Sequence, residues 1–276
     1  MVCLGKVVLL LEATLLNCRI HYELERNENP DAPVVLFLHG WGCDGNIFSF
    51  LQREISKQCT VLTLDFPGHG KSDEPPEPWN VPAFANQVDL LLNHLQLLGK
   101  IYIVAHSFGG RVAIELASTH QDRFEKMVIT GGAGLRKPLT EEQKKRQARF
   151  KRMNRVLDAM KKLPLLGKLA EGLQTKLRNK YGSADYIKLN EVMRRTFSNV
   201  INYDQSDLLE KIKASTLLIW GSEDTETPLW MGQQMEKSIP DAALITFDGR
   251  GHFAFAEEWQ RFVIIVKQFF FGGDNA

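Results

Sequence analysis

The sequence has few of the features that mark specialised classes of protein. Its 276 residues include four cysteines, which form no C-x-x-C pair: Cys3, Cys18, Cys43 and Cys59. The apolar stretch at 7–16 is short, contains Glu12 and lacks the small-residue cleavage site of a signal peptide. We therefore expect free thiols and a soluble, cytoplasmic protein without a membrane span.

The chain as a whole also lacks an excess of charge of one sign. Its formal net charge is +1, which gives no overall indication of nucleic-acid binding. The distribution is uneven, because residues 135–200 hold 18 of the 34 lysines and arginines but only 6 of the 33 acidic residues. We expect the basic residues of this segment to form a solvated face that docks on the acidic remainder of the chain. The alternative is that it attracts anionic substrates or an anionic surface. No nucleic-acid partner is predicted.

Strand-like apolar runs alternate with helix-like segments along most of the chain. Runs near 7–12 and 15–25 are expected to pair as an antiparallel edge. Six further runs follow, at 34–40, 60–68, 101–107, 126–132, 215–221 and 243–249. Continuous apolar strands separated by helices predict an α/β protein with a mostly parallel sheet covered on both faces.

A long interruption separates two of these strands. Residues 133–205 are rich in Lys, Arg, Leu and Met with helical spacing. We interpret residues 1–132 and 206–276 as the core and 133–205 as a helical, basic cap insertion. Ligands of open α/β sheets bind beyond the carboxyl ends of the strands, so this insertion would cover the site.

One serine stands between a strand-like run and a helix-like run in IYIVAHSFGGRVAIELA (101–117). The small residues Ala105, Gly109 and Gly110 allow a sharp turn that lifts the Ser107 hydroxyl out of the interior. Such a turn also places the amide of Phe108 at a helix N-terminus, where it can stabilise developing negative charge. Ser107 is therefore the predicted nucleophile.

A serine nucleophile needs a base and a carboxylate that orients the base. Asp224 and His252 each follow a predicted strand, and the order Ser107, Asp224, His252 is that of one known triad architecture. Glu223 and Glu226 are competing carboxylates. The glycine-rich HGWG segment (39–42) lets the backbone approach a substrate carbonyl, and the Trp41 amide is the predicted second oxyanion donor.

Together, the motifs HGWG, DFPGHGKSD, AHSFGG, GSEDTETP and GRGHF resemble the α/β-hydrolase fold superfamily, in its capped, esterase- and lipase-like branch. The resemblance covers the chain from about Val7 to Phe270. It implies eight strands, a cap after strand six, a Ser107–His252–Asp224 triad and an oxyanion hole of the Trp41 and Phe108 amides. Ala105 stands where the family pattern G-x-S-x-G has its first glycine.

The favoured function is hydrolysis of carboxylic esters with small or medium acyl groups through an acyl-enzyme, without metal or cofactor. Two alternatives stay open: another reaction on the same triad, namely carbon–carbon bond hydrolysis or perhydrolysis, or a ligand-sensing protein with slow turnover. Asp65 and His69 are expected to stabilise their loop by hydrogen bonds, and His106 is expected to line the floor behind Ser107. The oligomeric state is not predicted.

Overall fold

The computed structural model describes residues 9–136, 140–161, 166–167, 169–170, 172–174 and 189–272. In these residues eight strands form one sheet, in the order β1-β2-β4-β3-β5-β6-β7-β8. The strands are β1 (Leu9–Leu15), β2 (Cys18–Glu25), β3 (Val34–Leu38), β4 (Thr60–Leu64), β5 (Ile101–His106), β6 (Phe124–Thr130), β7 (Ser215–Gly221) and β8 (Ala242–Phe247). Only β1–β2 and β2–β4 pair antiparallel, and β3 to β8 run parallel. The predicted α/β class and mostly parallel sheet are confirmed.

Helices of the described residues lie between and beside these strands. They are α1 (Ser49–Ile55), α2 (Val81–His94), α3 (Phe108–Thr119), α4 (Glu141–Lys161), α5 (Glu191–Asn202), α6 (Trp230–Ser238), α7 (Ala254–Glu257) and α8 (Trp259–Phe271). Short 3-10 helices precede α1 (Gly45–Phe48) and β7 (Ser206–Lys211). None of these helices combines the length and apolarity that crossing a bilayer requires.

The central strands are buried on both faces, which explains their continuous apolar sequences. Every residue of β3, β4 and β5 is buried. Successive side chains of β3 alternate between two cores: Leu36 and Leu38 pack with α2 and α3, while Val35 and Phe37 pack with α1 and α8. The sheet therefore holds its parallel strands between two apolar layers, and polar groups collect at the strand ends.

The antiparallel edge forms as predicted, but its turn lies further along the chain. The strand β1 continues to Leu15, three residues beyond the predicted end, and the turn is Leu16–Asn17. Both turn residues have positive φ, 52° and 56°, which is the backbone of a two-residue hairpin turn. The predicted start of the strand at residue 7, and Cys3, lie outside the described residues.

Most of the described residues between β6 and β7 are helical. The helix α5 is tied to the core, since Thr196 Oγ1 accepts a hydrogen bond from Trp79 N and Asn199 Nδ2 donates to Trp79 O, both at 3.1 Å. The described contacts of α4 include a small apolar cluster in which Leu157 packs with Ala170. The division into core and cap stays a prediction, because residues 137–139, 162–165, 168, 171 and 175–188 lie outside the description.

The N-terminus of α3 packs tightly against the end of β3. A Cβ placed on Gly109 would overlap the carbonyl oxygen of Leu38 and would lie 2.8 Å from that of His39. Both are backbone atoms of the central sheet, which cannot shift as the end of a flexible side chain can. Gly109 therefore sets how closely α3 approaches the sheet.

We expect Gly109→Ala to lower the free energy of unfolding by about 1–3 kcal/mol, because the added methyl group overpacks a rigid backbone contact. Urea unfolding followed by circular dichroism measures the change. Gly99→Ala is the matched control, since no atom lies within 4 Å of a Cβ added there. Equal stability of the two variants would contradict the tight approach.

Candidate active site

The backbone turns sharply between β5 and α3, and Ser107 is the residue at the turn. Ser107 has φ 51° and ψ −110°, a conformation that non-glycine residues rarely adopt and that costs roughly 1–3 kcal/mol. Three backbone hydrogen bonds hold it: Ser107 N donates to Thr130 O at 3.2 Å, and Gly110 N and Ala133 N donate to Ser107 O at 3.0 Å. The predicted strand–turn–helix elbow is present.

Asp224 and His252 meet at the same edge of the sheet. Asp224 follows β7 and His252 follows β8, and their Oδ2 and Nδ1 atoms are 2.8 Å apart. The Asp224 side chain is fully buried, whereas Glu223 and Glu226 are exposed. Sequence order alone leaves three carboxylates in competition, and the structure brings Asp224 to the imidazole.

Four donors surround the Asp224 carboxylate. Its Oδ1 accepts from the backbone N–H groups of Glu226 and Thr227, each at 2.9 Å, and its Oδ2 lies near His252 Nδ1 and 2.9 Å from Thr227 Oγ1. Burial by itself raises the pKa of a carboxyl group, but the hydrogen bonds from His252 and Thr227 outweigh it and lower the pKa of Asp224. Asp224 is therefore a carboxylate near neutral pH.

The elbow lies against this pair through its neighbours. The ring of His106, the residue before Ser107, has its centroid 4.6 Å from that of His252. A Cβ placed on Gly131, which follows β6, would lie 3.1 Å from His252 Nδ1 and 3.2 Å from Asp224 Oδ2. The Ser107 hydroxyl makes no hydrogen bond with His252 here. Such catalytic contacts are often long without substrate and shorten when substrate binds.

The HGWG loop lies on the other side of the elbow. A Cβ placed on Gly40 would lie 3.4 Å from Ser107 Cβ. The Gly40 carbonyl accepts from His39 Nδ1 at 2.7 Å and from Cys43 N at 3.1 Å. The N–H of a trans peptide points opposite to its C=O, so Trp41 N–H points away from the His39 ring. Among the described residues, no backbone acceptor pairs with Trp41 N–H or Phe108 N–H, as the predicted role of these two amides requires.

Aromatic side chains line the region around this loop. The Trp41 ring packs against His69 at 4.8 Å, Phe197 at 5.0 Å and Phe108 at 5.4 Å between centroids. Phe197 belongs to α5, so the segment between β6 and β7 reaches the HGWG loop. The sequence analysis missed Phe197, and no local motif marks a contact between residues 156 positions apart.

The DFPGHGKSD loop is stabilised as predicted. Asp65 accepts from Gly45 N at 2.8 Å and from Lys71 N at 2.9 Å, and His69 Nδ1 lies 3.1 Å from Pro67 O. His39 connects the DFPGHGKSD loop to the HGWG loop, because its Nε2 accepts a hydrogen bond from Phe66 N at 2.9 Å. These bonds are local supports for the HGWG backbone.

Burial keeps two histidines next to the site neutral. Desolvation, together with a smaller contribution from the nearby His252, lowers the pKa of His106 to about 3. Desolvation likewise lowers the pKa of His39 to about 4, with a smaller contribution from His69. Neutral His106 donates from Nδ1 to Thr130 O at 3.0 Å, so it closes the floor beneath His252 without adding charge.

A serine elbow beside an Asp–His pair whose carboxylate is buried, at the carboxyl edge of a parallel sheet, is an arrangement suited to hydrolysis. The sequence profile of the alpha/beta hydrolase fold family matches residues 33–258. The chain therefore belongs to the α/β-hydrolase fold family, as the motifs indicate.

Relatives of this chain are named for different hydrolytic activities. It is 28% identical over 271 residues to the 2-hydroxy-6-oxononadienedioate/2-hydroxy-6-oxononatrienedioate hydrolase of Burkholderia vietnamiensis, covering 91% of this chain and 90% of that protein. It is 26% identical over 241 residues to the pimeloyl-acyl-carrier-protein methyl ester esterase of Chromobacterium violaceum, covering 84% and 91%. A hydrolase structure from Pseudomonas aeruginosa shares the fold with a TM-score of 0.71 at 21% identity, covering 94% of this chain and 97% of that one.

The buried histidines predict how stability depends on pH. Their pKa values in the folded chain lie below the ordinary value of 6.5, so the unfolded chain binds protons that the folded chain does not as pH falls below about 6.5. Stability is complete above that pH and decreases toward pH 4, by up to about 1.4 kcal/mol per pH unit for each histidine.

We expect His106→Asn to make this slope shallower by about 1.4 kcal/mol per pH unit, because one titrating group is removed. Urea unfolding at pH values from 7 to 4 measures the slope. The exposed His94 on α2 supplies the control variant His94→Asn, which should keep the wild-type slope. An unchanged slope in His106→Asn would show that the buried ring accepts a proton in the folded state.

Proposed function

We propose that this chain is a serine hydrolase that cleaves carboxylic esters of small or medium acyl groups through an acyl-enzyme on Ser107. His252 is the proposed base, Asp224 is the proposed carboxylate that orients it, and the amides of Trp41 and Phe108 are the proposed oxyanion hole. The observation that carries the proposal is the 2.8 Å Asp224–His252 pair beside an elbow that holds Ser107 at a φ of 51°.

The proposed reaction proceeds in two halves. His252 takes the proton of Ser107 as its oxygen attacks the ester carbonyl, and then gives that proton to the leaving alcohol. Water, deprotonated by the same imidazole, attacks the acyl-enzyme and releases the acid. Asp224 keeps the His252 tautomer with its proton on Nδ1 and stabilises the imidazolium form.

The oxyanion hole supplies the main electrostatic stabilisation. Negative charge develops on the carbonyl oxygen in both halves, and a single donor of this kind lowers the barrier by about 3 kcal/mol. The two amides come from different strand ends, since Trp41 follows β3 and Phe108 follows β5. Bonds from His39 and Cys43 to the Gly40 carbonyl hold the Trp41 amide before substrate arrives.

The side chains near the site favour an uncharged acyl group. The rings packed against Trp41 and His252 are His69, Phe108, Phe197, His106 and Phe253. An apolar acyl chain gains from contact with such rings, whereas a carboxylate would lose hydration there and gain no ion pair from the rings themselves.

Carbon–carbon bond hydrolysis is the second candidate, because the Burkholderia relative is named for a 2-hydroxy-6-oxo dienedioate substrate and matches 91% of this chain. That substrate carries two carboxylates, which the aromatic surroundings of Trp41 disfavour. A small-molecule ester as substrate and a cytoplasmic location remain predictions of the sequence.

A panel of p-nitrophenyl esters from acetate to decanoate tests the proposal. We expect turnover that depends on chain length, and a loss of roughly 10⁶-fold in Ser107→Ala, because the nucleophile is removed. Ser238→Ala, on α6, is the control that keeps activity. Cleavage of a 2-hydroxy-6-oxo dienoate without ester turnover would select the second candidate, and binding without turnover of either class would favour a sensing role.

A separate experiment tests which carboxylate orients His252. We expect Asp224→Asn to lower kcat by about 10⁴-fold with the fold intact, since an amide favours the wrong imidazole tautomer. Steady-state kinetics with the best ester of the panel measures the loss. Glu223→Gln is the matched control in the same loop, because its side chain is exposed. Comparable losses in both variants would contradict the assignment of Asp224.

A further inference from the structure

Thr227 contacts both members of the Asp224–His252 pair. Its Oγ1 lies 2.9 Å from Asp224 Oδ2, 3.2 Å from His252 Nδ1 and 2.8 Å from the carbonyl oxygen of Gly131. The residue is 5% exposed, so solvent does not compete for these contacts. One hydroxyl therefore joins the end of β6, the loop after β7 and the loop after β8.

The backbone of Thr227 is held on both sides. Its N–H donates to Asp224 Oδ1 at 2.9 Å, and its carbonyl oxygen accepts from the buried Trp220 Nε1 at 2.7 Å. A β-branched side chain on a fixed backbone has few rotamers. The hydroxyl oxygen is thus fixed in place, and only its proton is free to choose an acceptor.

That proton has two oxygen acceptors within reach. The Gly131 carbonyl is neutral, whereas Asp224 carries a full negative charge, and a hydrogen bond to an ionised acceptor is roughly twice as strong as a neutral one. His252 Nδ1 donates toward Asp224 and does not accept. The charge therefore directs the hydroxyl proton to Asp224 Oδ2, beside the bond from the imidazole.

We propose that Thr227 is a positioning residue of the proposed triad, whose hydroxyl donates to Asp224 Oδ2, fixes the carboxylate rotamer and moderates the pull of the carboxylate on His252. This inference rests on the proposed function. With Thr227 present, Oδ2 shares its negative charge between two donors. Without the hydroxyl, the imidazole proton becomes the sole side-chain donor to that oxygen, and the imidazolium form is stabilised more strongly.

Other ionisable groups face His252 from each neighbouring element. His106 at the end of β5 is neutral above pH 4, and Asp224 is the carboxylate in contact. On the loop of His252 itself, Glu257 Oε1 lies 3.3 Å from Gly251 N. Arg250 is paired with Glu258 at 2.9 Å. Among the described residues, Glu223 and Glu226 are exposed in the loop after β7. The contacts named for Glu257, Arg250 and Glu258 do not involve the Thr227 hydroxyl.

Thr227→Val tests the proposal, because valine keeps the shape of the side chain and the backbone bonds but removes the hydroxyl. We expect kcat to fall about tenfold with little change in KM. The acidic limb of the kcat/KM profile should move to higher pH by about half a unit, because the imidazole becomes more basic. Thr227→Ser should restore both, and Thr225→Val, exposed in the same loop, should match the wild type.

A residue with a purely structural role would lower activity without moving the limb, and that result would overturn the proposal. A shift of the acidic limb to lower pH would also overturn the proposal. It would mean that the Thr227 hydroxyl donates to the Gly131 carbonyl and accepts a hydrogen bond from His252. Thermal melting confirms that each variant is folded. If Thr227→Val does not fold, Thr227→Ala takes its place.

Histidine titration by NMR separates this proposal from the proposed function. The signal of His252, assigned by its loss in His252→Gln, is followed against pH in the wild type and in Thr227→Val. We expect the same upward shift of the titration midpoint whether or not esters are turned over. If the wild type turns over no ester but the His252 midpoint still shifts in Thr227→Val, the proposed function is refuted and the role of Thr227 is kept. If the titration curves of the wild type and Thr227→Val coincide, the role of Thr227 is refuted.

Discussion

The strained backbone of Ser107 is the constraint on which the rest of the site depends. A left-handed serine costs roughly 1–3 kcal/mol and persists only where its surroundings leave no alternative. Here β5 lies in the middle of a sheet that is buried on both faces, and α3 approaches the end of β3 so closely that Gly109 has no room for a side chain. The core thus stabilises a backbone conformation of the half-buried Ser107 that local preferences would not maintain.

The parallel order of the strands explains how residues distant in sequence come to the same edge of the sheet as Ser107. The strands from β3 to β8 all end at one edge, so Trp41, Ser107, Gly131, Asp224 and His252 converge although more than 200 residues separate the first from the last. Burial then controls the charge at this edge. His39 and His106 are kept neutral, while four donors keep Asp224 ionised. The negative charge therefore lies on the carboxylate that contacts the His252 imidazole.

Much of this arrangement could be predicted from the sequence, because it depends on patterns that are local. Alternating strands and helices predict the parallel sheet, and Ser107, Asp224 and His252 each follow a strand, so a shared edge brings the three loops together. The competition among Glu223, Asp224 and Glu226 is not decided by strand order. It is decided by the position of His252, a residue distant in sequence, whose Nδ1 lies 2.8 Å from Asp224 Oδ2.

Other features depend on side-chain positions that a sequence pattern does not encode. The Thr227 hydroxyl matters because its rotamer faces three loops at once, and Phe197 matters because α5 carries it across the molecule to Trp41. The end of β1 was predicted three residues too early, because Leu16 is an unusual residue for a left-handed turn. Long-range packing and backbone torsions decide all three.

The central claim is that the Ser107 hydroxyl is a nucleophile activated by His252. Labelling of the intact chain with a fluorophosphonate, followed by peptide mapping, measures this most directly, because the reagent reacts with activated serines. The account predicts one adduct, on Ser107, which is lost when His252 is replaced by Gln in a folded variant. A chain that stays unlabelled, or a label on another serine, would contradict it.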